Sequence, residues 1–138
     1  MLGRYEHNID AKGRLFVPAK LRLALGETFI AAAVMDHCIC LYSHEEWDKL
    51  QEKLAAMPLT KARKLQRFLS ANAAEMAVDS QGRILLPKHL LEYASLAKEA
   101  LVIGAGPRAE IWNPADYEAD MESMTEDEIE AEFTELGF

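Results

Sequence analysis

Cysteine is nearly absent from this chain: Cys38 and Cys40 are the only two. On a strand, residues two apart point the same way and are badly placed to bridge, so a disulfide framework is excluded. With only His37 beside them they also lack the second ligand pair of a structural metal site, and no metal is expected. The four histidines, His7, His37, His44 and His89, show no H-x-x-x-H or comparable ligand spacing. No G-x-S-x-G, G-x-G-x-x-G or Walker pattern occurs, so there is neither a nucleophile elbow nor a nucleotide cradle. "GAGPR" at Gly104–Arg108 has the glycines of a phosphate loop but no helix after it, and reads as a turn. No enzyme activity and no cofactor are expected. Long apolar runs are missing too, with nothing near the roughly 18–20 consecutive residues of a membrane helix. The opening "MLGRYEHNIDAKGR" is charged throughout and lacks a secretion signal's apolar stretch. The expectation is a reduced, cytoplasmic protein with no membrane partner.

Positive charge is outnumbered, with 15 Lys/Arg against 23 Asp/Glu, and it is unevenly placed. The net charge of −8 argues against an acidic partner such as nucleic acid. From Asn113 to Phe138, however, there are ten Asp/Glu and no Lys/Arg. Without that tail, 15 basic residues face 13 acidic ones over Met1–Trp112, a net of +2. The first 25 residues hold Arg4, Lys12, Arg14, Lys20 and Arg22 against Glu6 and Asp10, a net of +3. The basic footprint is local and modest.

What the chain does have, it has twice. "IDAKGRLFVPAKLRLAL" (Ile9–Leu25) lies over "VDSQGRILLPKHLLEYA" (Val78–Ala94), matching Asp10/Asp79, Gly13/Gly82, Arg14/Arg83, Pro18/Pro87 and Leu21/Leu90. With a one-residue slip, "CLYSHEEW" (Cys40–Trp47) then lies over "EIWNPADY" (Glu110–Tyr117). This is an internal duplication. Each copy reads as a strand, a tight Gly turn, a second strand, and a short helix opened by proline. A hairpin follows, turning at Asp36-His37 in one copy and Gly106-Pro107 in the other. Each half closes on a helix, signalled by a Ser43/Glu46 capping box and by Asn113-Pro114.

The resulting division is a first half at 1–58, a bridging helix at 59–74, a second half at 75–124 and an acidic tail at 125–138. A half of this size buries too little to be stable alone. The two are expected to interlock into one pseudo-symmetric α+β barrel, with both Gly turns on one face. The tail reads as a helix capped by Thr125 with Glu128, and Ile129, Phe133 and Leu136 give it an apolar face for docking. "KARKLQR" presents Lys61, Arg63, Lys64 and Arg67. That face is either solvated, in contact with phosphate, or paired with a neighbour's acidic tail. Trp47 and Trp112 read as core or interface anchors, not base-stacking platforms.

The repeated motif has a structural and a functional reading. Gly13 and Gly82 suit turn positions of positive φ. Asp10 and Asp79 can accept from turn amides or from the arginine, which would simply brace each hairpin. The same geometry preorganises Arg14 and Arg83 for the O6/N7 edge of guanine, and a two-stranded ribbon fits the DNA major groove. Lys12 would meet a phosphate; Gln81, its counterpart, would read adenine or position a backbone without adding charge. His7 lies close enough to the first motif to reach phosphate as well.

The paired D-x-x-G-R-(apolar)3-P hairpins, the opening "MLGRYEHNIDAKGRLFVPAKLR" and the join "QRFLSANAAEMAVDSQGRILLP" resemble the MraZ family, of the AbrB-like class of swapped-hairpin DNA binders. The resemblance runs from about Gly3 to Trp112. It fades in the acidic tail and departs from the usual small-residue pattern at "SANAAE". It implies an internally duplicated AbrB-like swapped-hairpin (double-split) β-barrel with short flanking and bridging helices. It also implies a bacterial transcriptional regulator acting at its own promoter, ahead of the division and cell-wall gene cluster. Such a protein forms ring-shaped homo-oligomers on double-stranded DNA in the nucleoid and binds short G-containing direct repeats. The implied DNA-contacting residues are Arg14 and Arg83, with Asp10 and Asp79 beside them. The alternative is an antitoxin-like protein-interaction module of the same fold, its acidic tail engaging another protein.

Overall fold

A computed structural model describes every residue from Met1 to Phe138. The first copy supplies β1 (Arg4–Asn8), β2 (Arg14–Phe16), α1 (Ala19–Leu25), β3 (Thr28–Ala33), β4 (Ile39–Tyr42) and α2 (His44–Ala55). After α3 (Leu59–Ala71) the second copy supplies β5 (Ala73–Ala77), β6 (Arg83–Leu85), α4 (Lys88–Tyr93), β7 (Glu99–Ala105), β8 (Arg108–Trp112) and α5 (Pro114–Glu122). The chain closes on α6 (Glu126–Glu135). No helix is long and apolar enough to cross a membrane.

The two strands flanking each Gly turn do not pair with each other. β2 pairs antiparallel with β6, placing Leu15 opposite Ile84. β1 goes to β7 and β5 to β3, so each half's first strand completes the other half's hairpin. A six-stranded sheet of order β1-β7-β8-β4-β3-β5 results, with the β2–β6 ribbon separate from it. At the sheet's centre β4 meets β8, with Cys40 directly opposite Glu110, the positions the one-residue slip equates. The duplication is thus a near two-fold axis passing by two residue pairs, Leu15/Ile84 and Cys40/Glu110.

Strand alternation sorts the side chains between two clusters. Leu15 and Ile84 of the ribbon, with Val17 and Leu86 directly after its strands, share one core with Phe29, Ile39, Leu41, Val102 and Ile111 of the sheet. That shared core makes the ribbon and sheet one barrel. On the sheet's other face Cys38, Cys40, Tyr42, Leu101 and Trp112 are covered by Trp47 and Leu50 of α2 and Tyr117 of α5. Both tryptophans are packing anchors.

Several local expectations shift. The Asp36-His37 turn has both residues at positive φ (66° and 53°), as an I′-type hairpin turn requires. Ser43 does cap α2, accepting from the Glu46 amide at 3.2 Å. The reciprocal half of the capping box is missing, because Glu46 takes Lys49 at 2.9 Å instead. The bridging helix stops at Ala71, and Ala73 and Ala74 join β5, where β3 offers a ladder to pair with. The acidic tail is helical and Thr125 caps it. It does not dock on its own chain: Phe133 and Leu136 remain 50% and 74% exposed.

Glu110 is the one charged residue buried in this fold, and it is fully committed. Its carboxylate accepts from Arg108 Nε at 2.9 Å and from Trp112 Nε1 at 3.0 Å. Glu110→Ala orphans both donors and is expected to cost about 1–3 kcal/mol, measured as a lowered urea midpoint. Glu110→Gln keeps an acceptor for one of them and loses less.

Candidate nucleic-acid interface

Both repeated motifs fold into the same hydrogen-bonded turn. Asp10 Oδ1 accepts from the amides of Lys12 (3.0 Å) and Arg14 (2.8 Å), and Oδ2 accepts from Arg14 Nε at 2.6 Å. Asp79 repeats this with the amides of Gln81 and Arg83, both at 2.9 Å, and with Arg83 Nε at 3.0 Å. One carboxylate therefore fixes both the backbone of the turn and the direction of its arginine. The amides of Arg14 and Arg83 foremost, joined by the Lys12 and Gln81 amides and the guanidinium contacts, hold the two carboxyls below the ordinary carboxylate range.

The sign of the pH dependence follows. Each depressed carboxyl stabilises the folded turn fully above its unfolded value near 3.8, and that contribution is lost as pH falls through the folded value. The turns are therefore expected to hold unchanged from pH 8 to about pH 5. Arg14 and Arg83 side-chain NMR shifts should move only below about pH 4, and Asp79→Asn should flatten that response for Arg83.

Gly13 (φ 84°) and Gly82 (φ 77°) occupy the left-handed position of each turn. Both are buried against the other half. The Gly13 carbonyl accepts from the Leu86 amide at 3.0 Å, and the Gly82 carbonyl from the Val17 amide at 2.9 Å. A side chain at Gly82 would begin 3.1 Å from the Arg22 guanidinium and the Phe16 ring.

The swap brings the motifs together. Arg83 Nη1 lies 3.7 Å from Asp10 Oδ2, joining the two Asp–Arg pairs, which enter the antiparallel ribbon from opposite ends, into one charged patch across its outward face. Each arginine is anchored through Nε, and Arg14's two terminal nitrogens have no hydrogen-bond partner in the chain. Lys12 and Gln81 are exposed at the two turns. Of the eight motif residues, Asp10, Lys12, Arg14, Asp79, Gln81 and Arg83 stay exposed or half-buried, while Gly13 and Gly82 are buried. The His7 ring lies 5.2 Å from that of Phe16.

One residue of this patch has no signal in the repeat. Arg22 donates through Nε to the Val17 carbonyl at 2.9 Å and lies over the Phe16 ring at 5.5 Å, against the second turn. Its counterpart in the second copy is Leu91, whose Cδ1 would touch a side chain at Gly13 at 3.5 Å. The copies are therefore unequal in sequence but balanced in space. The first turn has Lys12, and the second, lacking that lysine, receives Arg22 from the first half. Only a comparison of the two copies across the axis, not along the repeat, could have exposed it.

No comparable chemistry exists elsewhere. Cys38, Cys40 and Glu110 bring ligand atoms within 4.8 Å of one another. Glu110 is held by Arg108 and Trp112, and a closed zinc site needs four ligands. A hydrogen bond with Cys40, followed by burial, pushes the Cys38 thiol up, so it stays a protonated core residue.

The model of a protein family described as "MraZ protein, putative antitoxin-like" matches residues 1–68 and again residues 69–136. The chain belongs to the MraZ family. A "Transcriptional regulator MraZ" of Heliobacterium modesticaldum is 54% identical over 114 residues, 81% of this chain and 80% of that protein. The one of Desulfitobacterium hafniense strain Y51 is 50% identical over 128 residues, covering 91% and 89%. That of Halothermothrix orenii is 42% identical over an aligned length of 140, 99% and 98% of the two chains. The two matched segments of the MraZ model each contain one Asp–Arg turn. Membership places the chain with proteins named transcriptional regulators, not with enzymes.

Proposed function

We propose that this chain is a sequence-specific DNA-binding transcriptional regulator whose ribbon presents its outward face, flanked by the two turns, as the DNA-reading surface. The observation that carries it is the pair of Nε-anchored arginines set diagonally on one face of the ribbon, with Arg83 within 3.7 Å of Asp10. An arginine whose carboxylate partner takes only Nε keeps its terminal nitrogens for the two acceptors of guanine. Because its aspartate already restricts it, less side-chain freedom is lost on contact. Arg14 and Arg83 read guanine, with Asp10 and Asp79 setting their direction. Gln81 lies at the base edge, and Lys12 and Arg22 hold phosphate. Family membership supports the finer reading as well: short G-containing direct repeats at the protein's own promoter, ahead of the division and cell-wall genes. It also supports a ring-shaped homo-oligomer at the nucleoid. Several ribbons in register with repeated sites raise effective concentration, which a domain with so little positive charge needs.

Fluorescence anisotropy on a duplex with several G-containing repeats tests this, against a scrambled duplex of equal composition. Equal affinity for both would end the proposal. A salt series adds a second check. Lys12→Ala and Arg22→Ala should each weaken both duplexes alike, and each should flatten the slope of log K against log salt by about 1.

A further inference from the structure

The tail helix α6 and the α2–α3 pair are each unfinished, and in complementary ways. In α6 six of ten residues are acidic (Glu126, Asp127, Glu128, Glu130, Glu132, Glu135) and none is basic. Phe133 and Leu136 are half or more exposed beside Ile129. A helix this short is marginal in water when nothing covers it, below the roughly 12–15 residues an isolated helix needs. Across the molecule, α3 carries Lys61, Arg63, Lys64 and Arg67 with no acidic residue, and none of the four is ion-paired in the chain. Between α2 and α3 runs an open groove of about 530 Å³, floored by Leu54, Leu59 and Ala62 and edged by Arg63 and Arg67. Leu59 is 73% exposed, so the groove's apolar floor is uncovered.

The two features cannot easily meet within one chain. β4 and β8 run antiparallel at the centre of the sheet, Ile39 opposite Ile111 and Leu41 opposite Ala109. α2 leaves after Tyr42 at one end of that pair, and α5, which leads into α6, leaves after Trp112 at the other. The two-fold axis that relates the halves therefore sends the acidic arm and the cationic groove in opposite directions. Contacts of that kind between copies are head-to-tail, and head-to-tail contacts build rings when the rotation closes.

We infer that α6 of one copy docks in the α2–α3 groove of the next. Ile129 and Phe133 lie on Leu54, Leu59 and Ala62, and Glu126 and Glu130 face Arg63 and Arg67. This specifies the surfaces of the ring proposed above and rests on that part of the reading. The acidic tail then serves assembly and covers cations that would otherwise attract DNA without reading it.

Charge reversal on the full chain tests it, with native mass as the readout. Wild type should run as a multiple of the 15.5 kDa subunit. R63E/R67E should fall to a single subunit, as should E126R/E130R, each melting within a few degrees of the wild-type barrel. The quadruple variant R63E/R67E/E126R/E130R should regain the wild-type mass, which a misfolded surface could not do. Three results would overturn the inference. If wild type is multimeric and both double variants keep its mass, the ring stands but closes elsewhere. If R63E/R67E keeps its mass and loses only DNA affinity, α3 is a phosphate surface. If wild type is itself a single subunit, the ring reading fails first; a drop in melting temperature on charge reversal would then mean that the tail covers its own groove.

Discussion

Arg14→Ala and Arg83→Ala are each expected to weaken binding to a repeat-carrying duplex by about 1–3 kcal/mol, roughly 5- to 150-fold, per reading contact. Affinity for scrambled duplex should fall much less, because phosphate contacts dominate there. The barrel should barely notice. Both arginines are partly exposed, with 32% and 27% of the side chain accessible, and screened ion pairs at such sites contribute little to stability. Lysine should not rescue either position, since an ammonium cannot keep one donor on the aspartate while offering two to a base. The two effects need not be equal. Arg83 also approaches Asp10, so its loss frees that carboxylate from one of its two cations. Anisotropy titrations on both duplexes, with melting curves of each variant, separate reading from bracing. Variants that bind both duplexes like wild type would reduce the Asp–Arg pairs to hinges of the turn.

Ile84→Ala and Leu15→Ala should be among the most damaging single changes to the fold, each costing about 2–5 kcal/mol. The two side chains lie opposite each other on the ribbon, at 0% and 1% exposure, where a cavity cannot collapse without moving both halves. Against a total stability of about 5–15 kcal/mol, either change takes a large share. The residues touch across the axis, so the double variant should lose less than the sum of the two. The ribbon belongs equally to both halves. Unfolding should therefore remain one transition, with tryptophan fluorescence and circular dichroism coincident in urea. Two separated transitions would mean that the halves fold independently and that the swap is not what holds them together.

The duplication, the Gly turns, the proline-opened helices and the second hairpins were all legible in the residues. Each rests on local chemistry: a glycine at positive φ, a proline without an amide, an asparagine or serine before a helix. Those signals act within a few residues, so they survive without the rest of the fold. The eight motif residues could be chosen for the same reason, because an aspartate that binds amides two and four residues on needs only its own turn. What failed was whatever depends on a partner distant in the chain. Ala73 and Ala74 read as the end of a helix until β3 was there to pair with them. The apolar face of α6 read as a docking face, and its own chain offers it no surface.

Arg22 is the clearest instance. Nothing in "AKLRLAL" distinguishes it from any cation on a short helix, and its counterpart in the second copy is a leucine. Its place beside Gly82 exists only because β2 pairs with β6 instead of returning to β1. The residues of each motif dictate that the same turn is made twice, and that an arginine is held by an aspartate in each. They do not dictate which strand each turn delivers its neighbours to, because backbone ladders are indifferent to chain order and a hairpin and its swapped form have the same local hydrogen bonds. Only burial of Leu15 against Ile84 in a core that neither half can fill alone decides for the swap. With it come the pairing of Arg83 with Asp10 across the ribbon and the position of Arg22.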